Sequence, residues 1–252
     1  MQGASSDAVP LRRGARVAFF GGSFDPPHQG HLAIARAARD AFHLGTVLFA
    51  PVGAQPLKPE GPAASFDDRV AMTRLAIAGE RGFTVSLADA PRTSHNGACA
   101  PNYTMETLEE LSTTLAPGAI LYCLMGADSY FGLRRWHRAA EIPFLAMLII
   151  AWRPGQPLES LGEALPQGLT LTPAPDRGKI ESGVEVRTFA VADPAGRRAP
   201  LYVLPGLDVE ISASEIRSSM HGRLDAAKEL LPGRTVLPQR VAEYILSHKL
   251  YC

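Results

Sequence analysis

Between residues 16 and 52 the chain reads strand, tight turn, helix, strand, and that succession leaves few folds open to it. Arg16–Phe20 (RVAFF) is a short apolar run of strand length. Gly30–Phe42 is Ala-rich, with Leu32, Ala35, Ala38 and Phe42 on one face at helical spacing, and Gly45 stands where such a helix stops. TVLFAPV (46–52) is an apolar, β-branched run suited to a strand buried on both faces. Strand, helix and strand over so short a stretch make a βαβ unit, whose strands lie parallel. The pattern continues with a capping box at Ser65–Asp68 opening a helix through Ala78, with Gly79 as its stop. A strand at 83–89, a helix over Thr104–Leu115 and strands at 119–126 and 144–151 follow. The expected class is α/β, an open parallel sheet flanked by helices.

The remaining segments are less regular. Residues 1–14 are small and polar and are expected to fray, leaving 15–252 as a single domain. From 154 to 208, Pro- and Gly-rich turns surround VEVRTFAV (184–191) and PLYVL (200–204), and the pattern does not place them. Residues 209–252 read as a small C-terminal helical part, its last helix near Pro238–Lys249.

Between the first strand and its helix lies Gly21-Gly22-Ser23-Phe24-Asp25-Pro26-Pro27-His28-Gln29-Gly30-His31. In an open α/β sheet, ligands bind beyond the carboxyl ends of the strands, and a helix N-terminus offers N–H groups and a positive dipole to anions. Gly21 and Gly22 allow close backbone approach, and Gly30 does the same at the helix start. His28 and His31, three apart, can face one anion as hydrogen-bond donors. Without the histidines this would be an ordinary strand-to-helix turn with Phe24 in the core. A metal needs a third ligand, and only Asp25 is near in sequence.

A second anion site is suggested by Ile211-Ser212-Ala213-Ser214-Glu215-Ile216-Arg217, where Ser212 and Glu215 have capping-box spacing. That spacing puts Ser214 and Arg217 in the first turn of a helix, a hydroxyl and a guanidinium beside free N–H groups. Alone, the segment would be a capped surface helix with a solvated arginine.

Charge and composition narrow the partners. With 25 basic and 25 acidic residues the formal net charge is zero, so the field that draws proteins onto nucleic acid or anionic membrane is absent and small-molecule chemistry is favoured. No apolar run approaches a membrane span and the first residues lack a secretory h-region, so a soluble cytoplasmic protein is expected. Cys99, Cys123 and Cys252 are odd in number and scattered, which fits neither a disulfide framework nor a zinc site. Oligomeric state, monomer or homo-oligomer, is not legible.

The eleven-residue loop resembles the GxFDPxHxGH signature of the nucleotidyltransferase superfamily related to class I aminoacyl-tRNA synthetases, whose sheet is Rossmann-like, and 211–217 resembles its ISxxxIR segment. The resemblance implies that Gly21, Gly22, Ser23, Phe24, Asp25, His28, Gly30, His31, Ile211, Ser214 and Arg217 form the ATP site, with Asp25 orienting the loop. Further segments resemble the nicotinate-nucleotide branch. In PVGAQPLKP (51–59), Lys58 fits a phosphate-facing base, although Leu57 stands where that family often has histidine. Arg69 resembles an arginine of the next helix, with a solvated helix charge as the alternative. PNYT (101–104) resembles a turn that meets the nicotinate ring, GADS (126–129) one that places Asp128 near ribose, and Trp136 a residue that stacks on pyridine. The implied nicotinate mononucleotide site is Lys58, Tyr103, Thr104, Met105, Asp128, Trp136 and His137.

The reaction so implied transfers AMP from ATP to nicotinate mononucleotide, giving nicotinate adenine dinucleotide and pyrophosphate. The attacking 5′-phosphate is already ionised, so no general base is required. His28, His31, Lys58 and Arg217 would offset charge on the leaving pyrophosphate, with Mg²⁺ held mainly by ATP phosphates and water and no protein metal ligand assigned. The alternatives are a sibling transferase using nicotinamide mononucleotide or another phosphate acceptor, a non-catalytic nucleotide-binding regulator, and a relative of a tRNA synthetase.

Overall fold

The structure, a computed structural model, describes residues 14–57, 60–94, 97, 99–153, 155, 157–175, 178–179, 184–207, 212–220 and 236–251. In chain order the elements begin β1 (Arg16–Gly22), α1 (Gln29–Phe42), β2 (Thr46–Pro51), α2 (Phe66–Ala76), β3 (Phe83–Val85), β4 (Arg92–Thr93), β5 (Cys99–Ala100) and α3 (Thr104–Thr114). They continue β6 (Ile120–Gly126), α4 (Ala127–Gly132), α5 (Ile142–Leu145), β7 (Met147–Ala151), β8 (Thr170–Pro173), β9 (Gly178–Lys179), β10 (Glu185–Ala192), β11 (Arg198–Leu204), α6 (Ala213–Met220) and α7 (Gln239–His248).

The main sheet has the order β3-β2-β1-β6-β7-β11-β10-β8. From β3 to β11 every neighbour is parallel, with Val17 opposite Thr46 on one side of β1 and opposite Leu121 on the other. β10 then runs antiparallel to both β11 and β8. The chain steps outward from β1 through β2 to β3, then crosses back to lay β6 against β1's other edge. That reversal opens a crevice beyond the carboxyl ends of β1 and β6.

Side chains alternate between two cores, as the pleat requires. Ala18, Phe20, Tyr122, Leu124 and Ile149 pack on the face covered by Leu32, Ala35, Ala38 and Phe42 of α1. Phe19, Leu121, Cys123, Leu148 and Ile150 face the other way, onto Met105 and Leu108 of α3 and onto Tyr130, Leu133 and Ile142. All six residues of β2 are buried, which is why its sequence is apolar without alternation. A third cluster joins α2 to the C-terminal helices through Met72, Ile216, Met220, Val241 and Ile245.

Local chemistry sets the ends. The Ser65 hydroxyl accepts from the Asp68 N–H at 3.1 Å, forming the expected cap of α2, and Gly79 takes φ +88° beyond it. The strand expected over 83–89 ends at Val85 because the Ser86 hydroxyl takes the Ala88 N–H at 3.2 Å and turns the chain. The strand expected over 144–151 starts only at Met147, since Pro143 opens a short helix, Ile142–Leu145, ahead of it. Within 154–208 the described residues contribute a 3₁₀ helix (Leu158–Ala164) and strands β8, β9, β10 and β11. A tight turn at Asp193–Arg197, where Gly196 N–H donates to the Asp193 carbonyl at 3.0 Å, makes β10 and β11 a hairpin on the sheet's flank.

Candidate active site

The described residues assigned to the site lie toward the carboxyl end of the parallel strands, at the end of β1 and in the segments that follow β1, β2, β3, β6 and β11. Lys58 and Ile211 fall outside the described residues.

His28 is the N-cap of α1 and only 5% exposed, while His31 is partly exposed one turn on. Their ring centroids are 3.8 Å apart, and His31 also meets the Phe24 ring at 4.9 Å. The His28 backbone N–H donates to His31 Nδ1 at 3.2 Å, so the neutral His31 ring carries its proton on Nε2 and presents a donor there. Burial pushes the His28 pKa down to about 4. Burial, and then the charge His28 would carry, pushes His31 well below the usual imidazole range. At neutral pH the pair is therefore uncharged, two polar rings in close contact at an interplanar angle of 36°. The helix N-terminus is not wholly open, because the Gln29 N–H donates to the Val236 carbonyl at 2.8 Å.

Beneath the loop lies a polar cluster. The Asp25 carboxylate, 2% exposed, accepts from the Ala63 N–H at 2.7 Å, the Ala64 N–H at 3.1 Å and the Tyr251 hydroxyl at 2.7 Å. Arg217 donates from Nη1 to the Asp25 backbone carbonyl at 2.6 Å and from Nη2 to the Ser214 hydroxyl at 3.3 Å. The motif that sequence places far downstream thus closes on the β1–α1 loop. Its helix starts as expected, with Ser212 N–H donating to the Glu215 carboxylate at 2.8 Å and Glu215 N–H to the Ser212 hydroxyl at 3.2 Å.

Arg69 is not a solvated helix charge. It is 1% exposed, and its Nη1 donates to the Ser23 carbonyl at 2.7 Å. One buried carboxylate therefore sits among two guanidiniums, with Arg217 Nη1 3.7 Å from Asp25 Oδ2 and Arg69 within its field. The excess of positive charge suits an anionic ligand. So does the finding that His28 Nδ1 and Arg69 Nε are buried without a protein partner. Gly21 and Gly22 are needed for packing as well: a Cβ would lie 2.8 Å from the Phe19 ring at the first and 3.3 Å from the Phe24 ring at the second. Phe24 is a core side chain, so a contact from it to a ligand would be through its backbone. The Ser23 hydroxyl donates to Gln55 Oε1 at 3.1 Å and links the loop to the one after β2, while Gly30 is buried in α1.

A second group of residues gathers where α3 begins. Asn102 staples two loops: its Oδ1 accepts from the Ala54 N–H at 2.9 Å and its Nδ2 donates to the Ala90 carbonyl at 2.8 Å. Gly53 packs so tightly there that a Cβ would lie 2.5 Å from the Pro91 backbone. The staple fixes Tyr103, the N-cap of α3, whose side chain makes no cap bond, so the first-turn N–H groups at Thr104 and Met105 are left uncapped. The Met105 side chain is buried in the core, leaving its backbone as what it can offer a ligand. Tyr103 lies against His137, ring centroids 4.5 Å apart, with half-buried Trp136 next in the chain. Asp128, exposed in the first turn of α4, pairs with Arg153 beyond β7.

Sequence reasoning passed over Tyr251, Arg153 and Asn102. Asn102 stands inside the PNYT turn and could have been read as a turn-stapling amide. Tyr251 and Arg153 carry no local signal, since their partners are distant in sequence.

A family model described as cytidylyltransferase-like matches residues 19–219. The chain is 37% identical over 235 residues to a protein of Laribacter hongkongensis named "Probable nicotinate-nucleotide adenylyltransferase", covering 93% of this chain and 94% of that one. A protein of the same name from Gloeobacter violaceus is 35% identical over 243 residues, covering 94% and 97%. Among solved structures, Plasmodium falciparum nicotinic acid mononucleotide adenylyltransferase complexed with NaAD has the same fold at TM-score 0.63 and 16% identity, covering 94% of this chain and 97% of that one.

Proposed function

The chain belongs to the cytidylyltransferase-like family and, within it, to the nicotinate-nucleotide adenylyltransferases, and from that membership we propose that it transfers AMP from ATP to nicotinate mononucleotide in the cytoplasm, releasing pyrophosphate. The observation that carries the reading is the pairing of His28 and His31 at the start of α1 with Arg217, tied to the same loop at 2.6 Å. In this reading the ATP triphosphate lies over that loop. An oxygen of the mononucleotide's 5′-phosphate attacks the α-phosphorus in line, the bond from that phosphorus to the bridging oxygen breaks, and the electron pair leaves with pyrophosphate. No proton must be removed from the nucleophile. The protein's work is to position both phosphates and to stabilise the leaving charge, with His31 Nε2–H, His28 and Arg217 as donors and Lys58 as a further cation.

Magnesium fits this arrangement when held by ATP and water, where it would neutralise phosphate charge. Asp25 is consumed by three internal donors and so does not offer itself as a ligand. The nicotinate ring is assigned to the Tyr103, His137 and Trp136 aromatics, its carboxylate to the uncapped N–H groups at Thr104 and Met105, and the ribose to Asp128.

The test is dinucleotide formation with the acid and the amide mononucleotides. A carboxylate accepts from two N–H donors, whereas a carboxamide turns an NH₂ toward one of them and leaves it unpaired. That mismatch of about 1–3 kcal/mol per group predicts a kcat/KM preference for the acid of about 10²-fold. Equal rates, or a preference for the amide, would assign the chain to the sibling activity.

A further inference from the structure

The donors around Asp25 have a consequence for Arg217. Asp25 Oδ1 accepts from Ala64 N–H and the Tyr251 hydroxyl, at 3.1 and 2.7 Å, and Oδ2 accepts from Ala63 N–H at 2.7 Å. All three donors are neutral. A carboxylate free to turn draws a neighbouring guanidinium into a two-pronged pair. Here Arg217 Nη1 stands 3.7 Å from Oδ2, beyond hydrogen-bond length, and donates to the Asp25 backbone carbonyl instead.

We propose that Tyr251 is a positioning residue of the ATP site: its hydroxyl, bonded to Oδ1, pins the orientation of the Asp25 carboxylate and leaves Oδ2 beyond hydrogen-bond length of Arg217, so that Arg217 is oriented by the loop but keeps its charge and remaining N–H groups for the phosphates. The inference rests on the adenylyl-transfer reading above. The chain bends to deliver this hydroxyl. Lys249 ends α7 in the left-handed region at φ 53°, and Tyr251 itself has φ 64°, a conformation uncommon for residues that carry a side chain. Leu250 N–H donates to the Ile245 carbonyl at 3.1 Å and fixes the bend. Burial and the bond to Asp25 push the phenol pKa well up, so it stays a donor throughout the neutral range. With Arg69 anchoring the Ser23 carbonyl and Tyr251 anchoring the next carboxylate along, the phosphate loop is held from below at two points.

Tyr251→Phe removes the oxygen and keeps the ring. Freed on one side, Asp25 should turn toward Arg217 and compete with ATP for it. The expected result is a rise of about tenfold in KM for ATP and in the Kd of α,β-methylene-ATP, the size expected for one hydrogen bond to a charged group, with KM for the mononucleotide unchanged. Tyr244→Phe is the matched control. It removes another tyrosine hydroxyl, bonded to Asp68 at 2.9 Å, and should move neither ATP constant. Combined with Arg217→Lys, Tyr251→Phe should add far less than its separate effect, because both act through one guanidinium. Unchanged ATP constants in Tyr251→Phe overturn the proposal, as does an equal loss in every kinetic parameter alongside a lowered Tm, which marks a structural role. If the wild-type protein forms no dinucleotide, the functional reading falls, while the methylene-ATP affinities still decide the role of Tyr251.

Discussion

The paired histidines should make the protein acid-sensitive by an amount that can be worked out. In an unfolded chain an imidazole titrates near its ordinary value of about 6.5. In the folded protein His28 titrates at about 4, and His31 is also depressed. Below the unfolded value the unfolded state therefore binds more protons than the folded one, and stability falls as pH falls. The stabilisation is complete above about pH 7 and is lost progressively toward pH 4, a window set by the two His28 values. For His28 the unfolded state gains about 1.5 pH units of proton binding by pH 5, or about 2 kcal/mol. His31 adds to this in the same direction. Protonating both rings in the fold is blocked, since cations at their 3.8 Å spacing repel by about 4 kcal/mol at an effective dielectric constant near 20. Urea denaturation at pH 8 and pH 5 measures the effect, comparing wild type with the double variant His28→Gln/His31→Gln. The wild type should lose at least about 2 kcal/mol more than the variant over that interval. An equal loss in the two proteins would refute the reasoning, because it would mean the acid sensitivity comes from other groups.

Two further substitutions probe the chemistry and its scaffold. His31→Ala should lower kcat by roughly 10²–10³ in a pyrophosphate-release assay, since it removes a donor from the leaving phosphates, and activity equal to wild type would remove His31 from the mechanism. Gly53→Ala forces a Cβ to within 2.5 Å of the Pro91 backbone. It should cost about 1–3 kcal/mol in thermal unfolding and raise KM for the mononucleotide, because the loop staple that sets the start of α3 must shift, whereas an unchanged KM would uncouple that staple from substrate binding.

How far the sequence alone led follows from how local each signal is. The β1–α1–β2 unit was legible because its period switches within a few residues and its turn is rich in glycine and proline. The cap of α2 was legible because Ser65 and Asp68 answer each other across one turn. β10 and β8 were not, since they lie at the sheet's flank with one side toward water, and their mixed sequences (EVRTFAVA and TLTP) resemble exposed loop. In the candidate site, His28 and His31 announced themselves by spacing, yet their neutral state follows only from their burial in the fold, His31 against the Phe24 and Phe20 rings. Arg69 was ambiguous because a helix arginine reads alike whether it faces water or a buried carbonyl. The part played by Tyr251 depends on a contact 226 residues away in the chain, which no periodicity encodes.

The hairpin turn at Asp193–Arg197 sits where β11 begins, and β11 runs parallel to β1, so the turn lies at the amino-terminal end of the sheet. Pro194, Ala195 and Gly196 are exposed there, on the opposite side of the molecule from the crevice. Its backbone bonds close within the turn itself, Asp193 N–H to the Arg197 carbonyl at 3.1 Å and Gly196 N–H to the Asp193 carbonyl at 3.0 Å, and the Arg197 guanidinium returns to the Asp193 carboxylate at 2.6 Å. A segment that satisfies its own polar groups and faces away from the substrates can be remodelled independently of catalysis. It is the place to attach a fluorophore, an affinity tag or a surface-immobilisation handle.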